Sequence, residues 1–318
     1  MNSPTPALAS PPIPWLGIVV GLCAASIGAL YTVFARQGLA QGLAPWDLTF
    51  LRFAVAGVLT LPILAIAIST QWPLLRQKWR IWLAVSLLAG PLFGMLMFGA
   101  LHFAPPSHAA VFPFTAMSVM GMVMAAIFLG DRITLRRVIG IVIVISGLVV
   151  LAGLNVASVQ GNALIGDLLF IAAGTMWAGF GILLRKHKLN PVLATAVISF
   201  AALMTYVPLY LVLTGAQTLK AVALPTLLTQ VLVQGVIAGG GTLYTYGKMV
   251  SLLGPARAAI FPALAPGIAA LMAWPVLHHI PSSAELTGLT LAIAGLIISV
   301  TTFRILPSYF SKTPRFAS

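Results

Sequence analysis

The chain is poor in charge, and above all in acid. Four carboxylate side chains (Asp47, Asp131, Asp167 and Glu285) and 17 Lys and Arg serve 318 residues, so that 7% of positions are charged, where a soluble domain has roughly 25%. So little charge cannot clothe a water-soluble surface. The single cysteine, Cys23, excludes an internal disulfide and leaves no redox compartment to infer. The two histidine pairs, His102 with His108 and His278 with His279, lack helical metal-ligand spacing, and no carboxylate or cysteine joins them. No strand pattern precedes a glycine-rich phosphate loop. An intramembrane enzyme is therefore disfavoured, and neither a metal nor a cofactor is expected.

What is present is apolar: 60% of the residues are hydrophobic. A bilayer core of about 30 Å needs roughly 20 apolar residues per helix. Ten such stretches follow one another, near Trp15 to Ala35, Trp46 to Ile68, Ile81 to Leu101, Ala109 to Leu129, Val138 to Leu154, Leu168 to Leu184, Val192 to Leu213, Leu227 to Val250, Ala258 to Leu277 and Leu286 to Phe303. The pattern predicts an all-α integral membrane protein of ten transmembrane helices. Residues 1–14 hold five prolines and no Lys or Arg, and are read as a disordered cytoplasmic lead without the charged start of a secretory signal.

The net charge of +13 raises nucleic-acid binding, but the basic residues are sorted by membrane side instead of gathered in a patch. With the N-terminus inside, 14 of the 17 lie at cytoplasmic ends and only Arg36, Arg52 and Lys220 do not. This predicts a bacterial inner-membrane protein with both termini cytoplasmic, the bilayer as its surroundings, no nucleic-acid partner and no obligate protein partner.

The chain also repeats. Ala109-Ala110-Val111-Phe112-Pro113 returns 149 residues later as Ala258-Ala259-Ile260-Phe261-Pro262, and Gly140 and Gly147 return as Gly288 and Gly295 at an offset of 148. A first unit over 15–155, a linker over 156–165, a second unit over 166–305 and a tail over 306–318 place five spans in each unit. Five is odd, so the second unit is threaded upside down, the plan of many transporters. The loops agree: the one after span four carries Asp131, Arg132, Arg136 and Arg137, whereas its partner after span nine reads His278-His279-Ile280-Pro281.

Several motifs in this order resemble one family. They are Leu51-Arg52-Phe53 early in span two, Leu129-Gly130-Asp131-Arg132-Ile133-Thr134 followed by Gly140, Trp177-Ala178 in span six, and Leu253-Gly254-Pro255-Ala256-Arg257-Ala258-Ala259 leading into span nine. The chain resembles the EamA-type permeases of the drug/metabolite transporter superfamily over nearly its whole length. It departs from them in carrying Asp131 where the family has Glu after Leu-Gly, and His279 at the second-half counterpart. Within the superfamily it is similar to bacterial amino-acid exporters, including the aromatic type. The resemblance implies export or facilitated movement of small metabolites, amino acids above all.

Helical geometry selects candidate cavity residues. Gln230, Gln234, Gly241, Thr245 and Lys248 fall within about 60° of one another on an ideal helix, with Tyr244 beside them. Two glutamines in hydrocarbon must face protein or water; cavity lining is expected, interhelical hydrogen bonding being the alternative. Near the outer mouth stand Tyr31, Phe98, His102, His108 and Phe112. Trp177 lies mid-span, where its indole N–H needs an acceptor. Arg52 either snorkels outward or offers its guanidinium to a substrate carboxylate. Pro113 and Pro262 are repeat-equivalent, Pro266 lies a turn further on, and Gly240 centres a glycine triplet; all four are gating candidates. All four acids fall at span ends, leaving none for a midplane proton site. A facilitator is therefore expected, with proton antiport through His102 or His108 as the alternative. The same absence disfavours lipophilic cations as substrates.

Overall fold

The computed structural model describes residues 15–104, 106–153, 162–277 and 282–300. The expected lead, most of the expected linker, His278, His279 and the tail lie outside them. Among the described residues ten helices are long and apolar enough to cross a bilayer. These are α1 (Trp15–Ala40), α2 (Pro45–Gln77), α3 (Trp79–Gly99), α4 (Phe112–Leu129), α5 (Leu135–Ala152), α6 (Asn162–Lys186), α7 (Pro191–Thr214), α8 (Leu224–Leu253), α9 (Pro255–Met272) and α10 (Ser283–Val300). Helix α6 begins at Asn162, so residues 162–165 are helix and not linker.

The two halves pack about a pseudo-two-fold axis. A Cβ on Gly140 would meet the Gly295 carbonyl at 2.7 Å, and one on Gly147 would meet that of Gly288 at 2.7 Å. Because Gly140 corresponds to Gly288 and Gly147 to Gly295, each contact is the image of the other, as at an isologous interface. The glycines let the α5 and α10 backbones touch, the small-residue packing that holds helices together where lipid removes the hydrophobic drive. The same symmetry sets α4 on α6 as α9 sits on α1, and α2 on α8 as α7 sits on α3.

Interruptions are local and readable. Gly90 is extended (φ −90°, ψ −153°) ahead of Pro91, which breaks α3 at mid-span. The Leu129-Gly130-Asp131-Arg132-Ile133-Thr134 motif is a corner: Gly130 ends α4 at φ +70°, Asp131 accepts from Arg185 at 2.9 Å, and Thr134 caps α5. Its counterpart opens α10 with a capping box, in which Ser282 N–H donates to Glu285 at 2.7 Å and Glu285 N–H to Ser282 Oγ at 3.2 Å. Helix α8 contains a ten-residue π-helical stretch, Val231–Gly240, ending in the glycine triplet.

Candidate transport cavity

A cavity of about 380 Å³ lies among the ends of α1, α3 and α5 and the starts of α6 and α10. Its wall includes Tyr31, Arg36, Phe98, Phe114, Phe170 and Glu285, with Ala109 and Ala110 of the first repeat motif and Pro266 of α9. Beneath it, sharing Tyr31, Phe114 and Ala265, is a smaller chamber of about 40 Å³. Arg52, Phe93, Met117, Trp177, Thr242, Tyr246 and Pro262 surround that chamber. Cavity and chamber form one path that stops partway through the bundle. At the far end Phe261 packs on Gly21, Leu253 on Gly17 and Ala259 on Gly121, and residues 258–261 are all buried. The molecule is open at the face where α1 ends and closed at the face bearing Arg137, Arg185 and Arg257.

Arg52 does not snorkel. It is 3% exposed, its guanidinium lies 5.1 Å from the Tyr31 ring centre, and its Nε has no hydrogen-bond partner among the described residues. The nearest acid along α2, Asp47, is engaged elsewhere: it accepts from Ala44 N–H (2.7 Å), Thr218 (3.0 Å) and Tyr210. Trp177, on the opposite wall, stacks obliquely with Phe93 (4.7 Å) and Tyr246 (4.9 Å). The Tyr246 hydroxyl is buried and also has no hydrogen-bond partner among the described residues. One cation and an aromatic wall thus converge where the path narrows. A buried charge without a counter-ion is costly unless a ligand supplies one.

Tyr31, Arg52, Phe98, Trp177, Pro262 and Pro266 lie on this path, while the other expected residues do not. Gln230 and Gln234 are fully buried and donate to the α1 backbone, at Phe34 O (2.7 Å) and Tyr31 O (2.9 Å). They clamp α8 to α1 and lie outside the lining of both the cavity and the chamber. Tyr244 is 42% exposed on the outer surface, and the Thr245 hydroxyl is spent on Gly241 O. The reason is the π-helix. It advances roughly 80° per residue instead of 100°, so the six π residues after Gln234 turn the face back by about one residue, from Gly241 and Thr245 to Thr242 and Tyr246. A glycine triplet and two buried amides on one helix are the only sequence hints of this. Gly240 borders open space, and Pro113 is buried against Gly174. Phe112 stacks on His108 (5.4 Å between ring centres) behind the wall. His102 lies in the turn that ends α3.

His108 is not at the mouth, and Asp167 is not at a span end. The pair is fully enclosed, His108 Nδ1 lying 2.7 Å from Asp167 Oδ1 with both side chains at most 2% exposed. All four acids are expected at span ends with none for a midplane proton site; Asp167 lies in the second turn of α6, yet it is buried and joined to His108. Because α6 starts at Asn162, Asp167 is already more than a turn inside the helix.

A family model described as the EamA-like transporter family matches residues 15–153 and again 164–301. The chain belongs to that family. Among EamA relatives, a probable amino-acid metabolite efflux pump of Salmonella typhimurium is 28% identical over 220 residues, covering 66% of this chain and 72% of the relative. One of the same description from Escherichia coli K12 is 27% identical, covering 64% and 71%. A crystal structure at 20% identity superposes with a TM-score of 0.69, covering 90% of this chain and 96% of the other, which shows a common fold. This EamA protein is a multi-pass membrane transporter, and its two matched segments are the two halves related by the pseudo-two-fold axis.

Proposed function

We propose that the protein moves amino acids, aromatic ones included, out of the cell across the bacterial inner membrane, by alternating access between its two inverted halves. With both termini cytoplasmic, the open cavity faces outward. The observation that carries the reading is the buried Arg52 guanidinium at the bottom of an aromatic path, with no acid paired to it among the described residues. The small chamber, about 40 Å³, has room for a carboxylate beside Arg52, since one water needs only about 10–15 Å³ of such space. The body of the substrate fills the 380 Å³ above it, against Phe98, Phe114 and Phe170. Trp177 and Tyr246 line the same chamber as Arg52. The relatives named as efflux pumps for amino-acid metabolites support the same substrate class.

Counterflow of labelled amino acids in proteoliposomes tests this. Saturable exchange of phenylalanine and leucine is expected. Arg52→Gln should weaken apparent affinity about 10- to 100-fold, the worth of a charged hydrogen bond of about 1.5–3 kcal/mol, with Arg52→Lys recovering part of it. Exchange unchanged by Arg52→Gln would remove Arg52 from the site. Failure of every amino acid, with exchange of deaminated carboxylates instead, would move the substrate class and leave Arg52 its role.

A further inference from the structure

The transport path leaves one ionisable cluster unused. His108 sits in the short helical turn Pro106–Ala109 that precedes α4, and Asp167 in the second turn of α6. The two are joined at 2.7 Å and enclosed. Ala109 and Ala110, which follow His108, and Phe170, about one turn after Asp167, are cavity wall. The pair therefore stands one layer behind the mouth and ties the wall segment from α4 to the wall helix α6. Both outward atoms of the pair, His108 Nε2 and Asp167 Oδ2, are buried without a hydrogen-bond partner among the described residues.

We infer that His108 and Asp167 form a proton-binding latch, whose loading from the open face holds the Pro106–Ala109 turn and with it the mouth of the cavity. With one shared proton the pair carries a net negative charge. A second proton, taken at Nε2, makes it an imidazolium–carboxylate pair of no net charge. A buried pair whose imidazole packs on Phe112 is stable when neutral overall and costly when it holds an unbalanced charge. The enclosed arrangement is thus the loaded one. Losing the proton leaves a buried anion that reaches water only if the turn lifts.

Among the described residues no other ion pair involves His108 or Asp167. Helix α4 has no acid or base, and the broken outer half of α3 ends in His102. On α6 the next charged residues are Arg185 and Lys186 at the other end, and Arg80 and Arg257 on the packed elements also lie there. Helix α8 contributes Tyr246, and Arg36 and Glu285 stand across the cavity. The repeat makes the site one-sided. At the 149-residue offset His108 corresponds to Arg257 and Asp167 to Ile18, so the closed end has no such pair and responds differently to pH. The latch exchanges protons only with the compartment its mouth faces. It gates access and need not carry one proton per substrate.

The inference rests on the transport reading for its meaning but is testable without a substrate. In liposomes, with Cys23 replaced by Ser, an Ala110→Cys reporter is labelled by a membrane-impermeant maleimide from pH 5.5 to 8.5. Rates are normalised to the same protein unfolded in detergent, which removes the thiol's own titration. The labelling rate should change about fivefold or more along a one-proton curve, the usual size of a coupling between sites. The near-isosteric Asp167→Asn and His108→Gln should each flatten the curve, and reinsertion is checked by the same reporter in each. A flat curve in the parent, or a curve kept in both variants, overturns the latch. If counterflow fails while the pH curve and its loss are seen, the latch stands and the substrate class falls; the reverse result leaves transport and removes the latch.

Discussion

The same five-residue motif occupies opposite situations in the two halves. In the second, Ala258 to Phe261 are buried to within 1% and seal one end. In the first, Ala109 and Ala110 line an open cavity and Phe112 is only half-buried. The difference comes from the helix each motif faces. Phe261 packs where Gly21 of α1 has no side chain. The residue equivalent to Gly21 in α6 is Phe170, itself fully buried, so Phe112 is denied that seat and lies on His108 instead. Nearly identical local sequence, Val111 replacing Ile260, thus makes a plug in one half and a wall in the other, because plugging needs a hole in the partner helix.

The comparison breaks most severely at the plug. Phe261→Ala empties a fully enclosed site and should cost about 3 kcal/mol, whereas Phe112→Ala should cost about 1 kcal/mol; thermal unfolding in detergent of both variants measures the gap, and equal losses would contradict it. Next in size, Gly21→Phe copies the first-half arrangement into the second and should expel Phe261. A cysteine at Ala259 should then become reactive to an impermeant maleimide about tenfold faster from the basic face, and no change would show that the seal lies elsewhere. The two corner caps should differ less than the motifs do. Ser282→Ala, which loses a reciprocal box, should cost about 1 kcal/mol, and Thr134→Ala less, since its bond to Arg137 N–H is 3.4 Å long; chemical denaturation would rank them.

The smallest effect concerns the basic face. Burial, and then the Lys186 and Lys78 cations, hold the His187 imidazole below its usual range. The folded state therefore resists a proton that the unfolded chain accepts, and this loss of stability appears as pH falls below about 6.5. Above that pH both states are neutral and His187 contributes nothing. His187→Gln should make the melting temperature slightly less sensitive between pH 7 and 5.

Much of this architecture was readable in advance. Ten spans, two units and their inversion follow from apolar lengths and a repeated motif, and the structure adds the glycine seam between α5 and α10 that makes the inversion a packing fact. Arg52 and Trp177 stood out because each is misplaced in a membrane, the one by charge and the other by depth. Tyr246, Phe114 and Phe93 did not, since nothing in a periodic apolar helix marks which aromatic meets a path. The glutamines were visible but assigned to the wrong partner. Their amide N–H groups are taken by α1 carbonyls, and past Gln234 an ideal 100° advance was carried through a stretch that is π-helical.

Sequence alone determined what is additive along the chain: membrane residence, span number, the sorting of cations by side and the inverted repeat. These depend on how many apolar residues follow one another and where charge interrupts them, which no partner helix alters. Tertiary structure decided which end is open, that Arg52 faces a chamber, and that His108 and Asp167, 59 residues apart, are one site. Each depends on whether a facing helix offers a gap, a carbonyl or a counter-charge, and that is a property of pairs of helices that neither sequence segment contains.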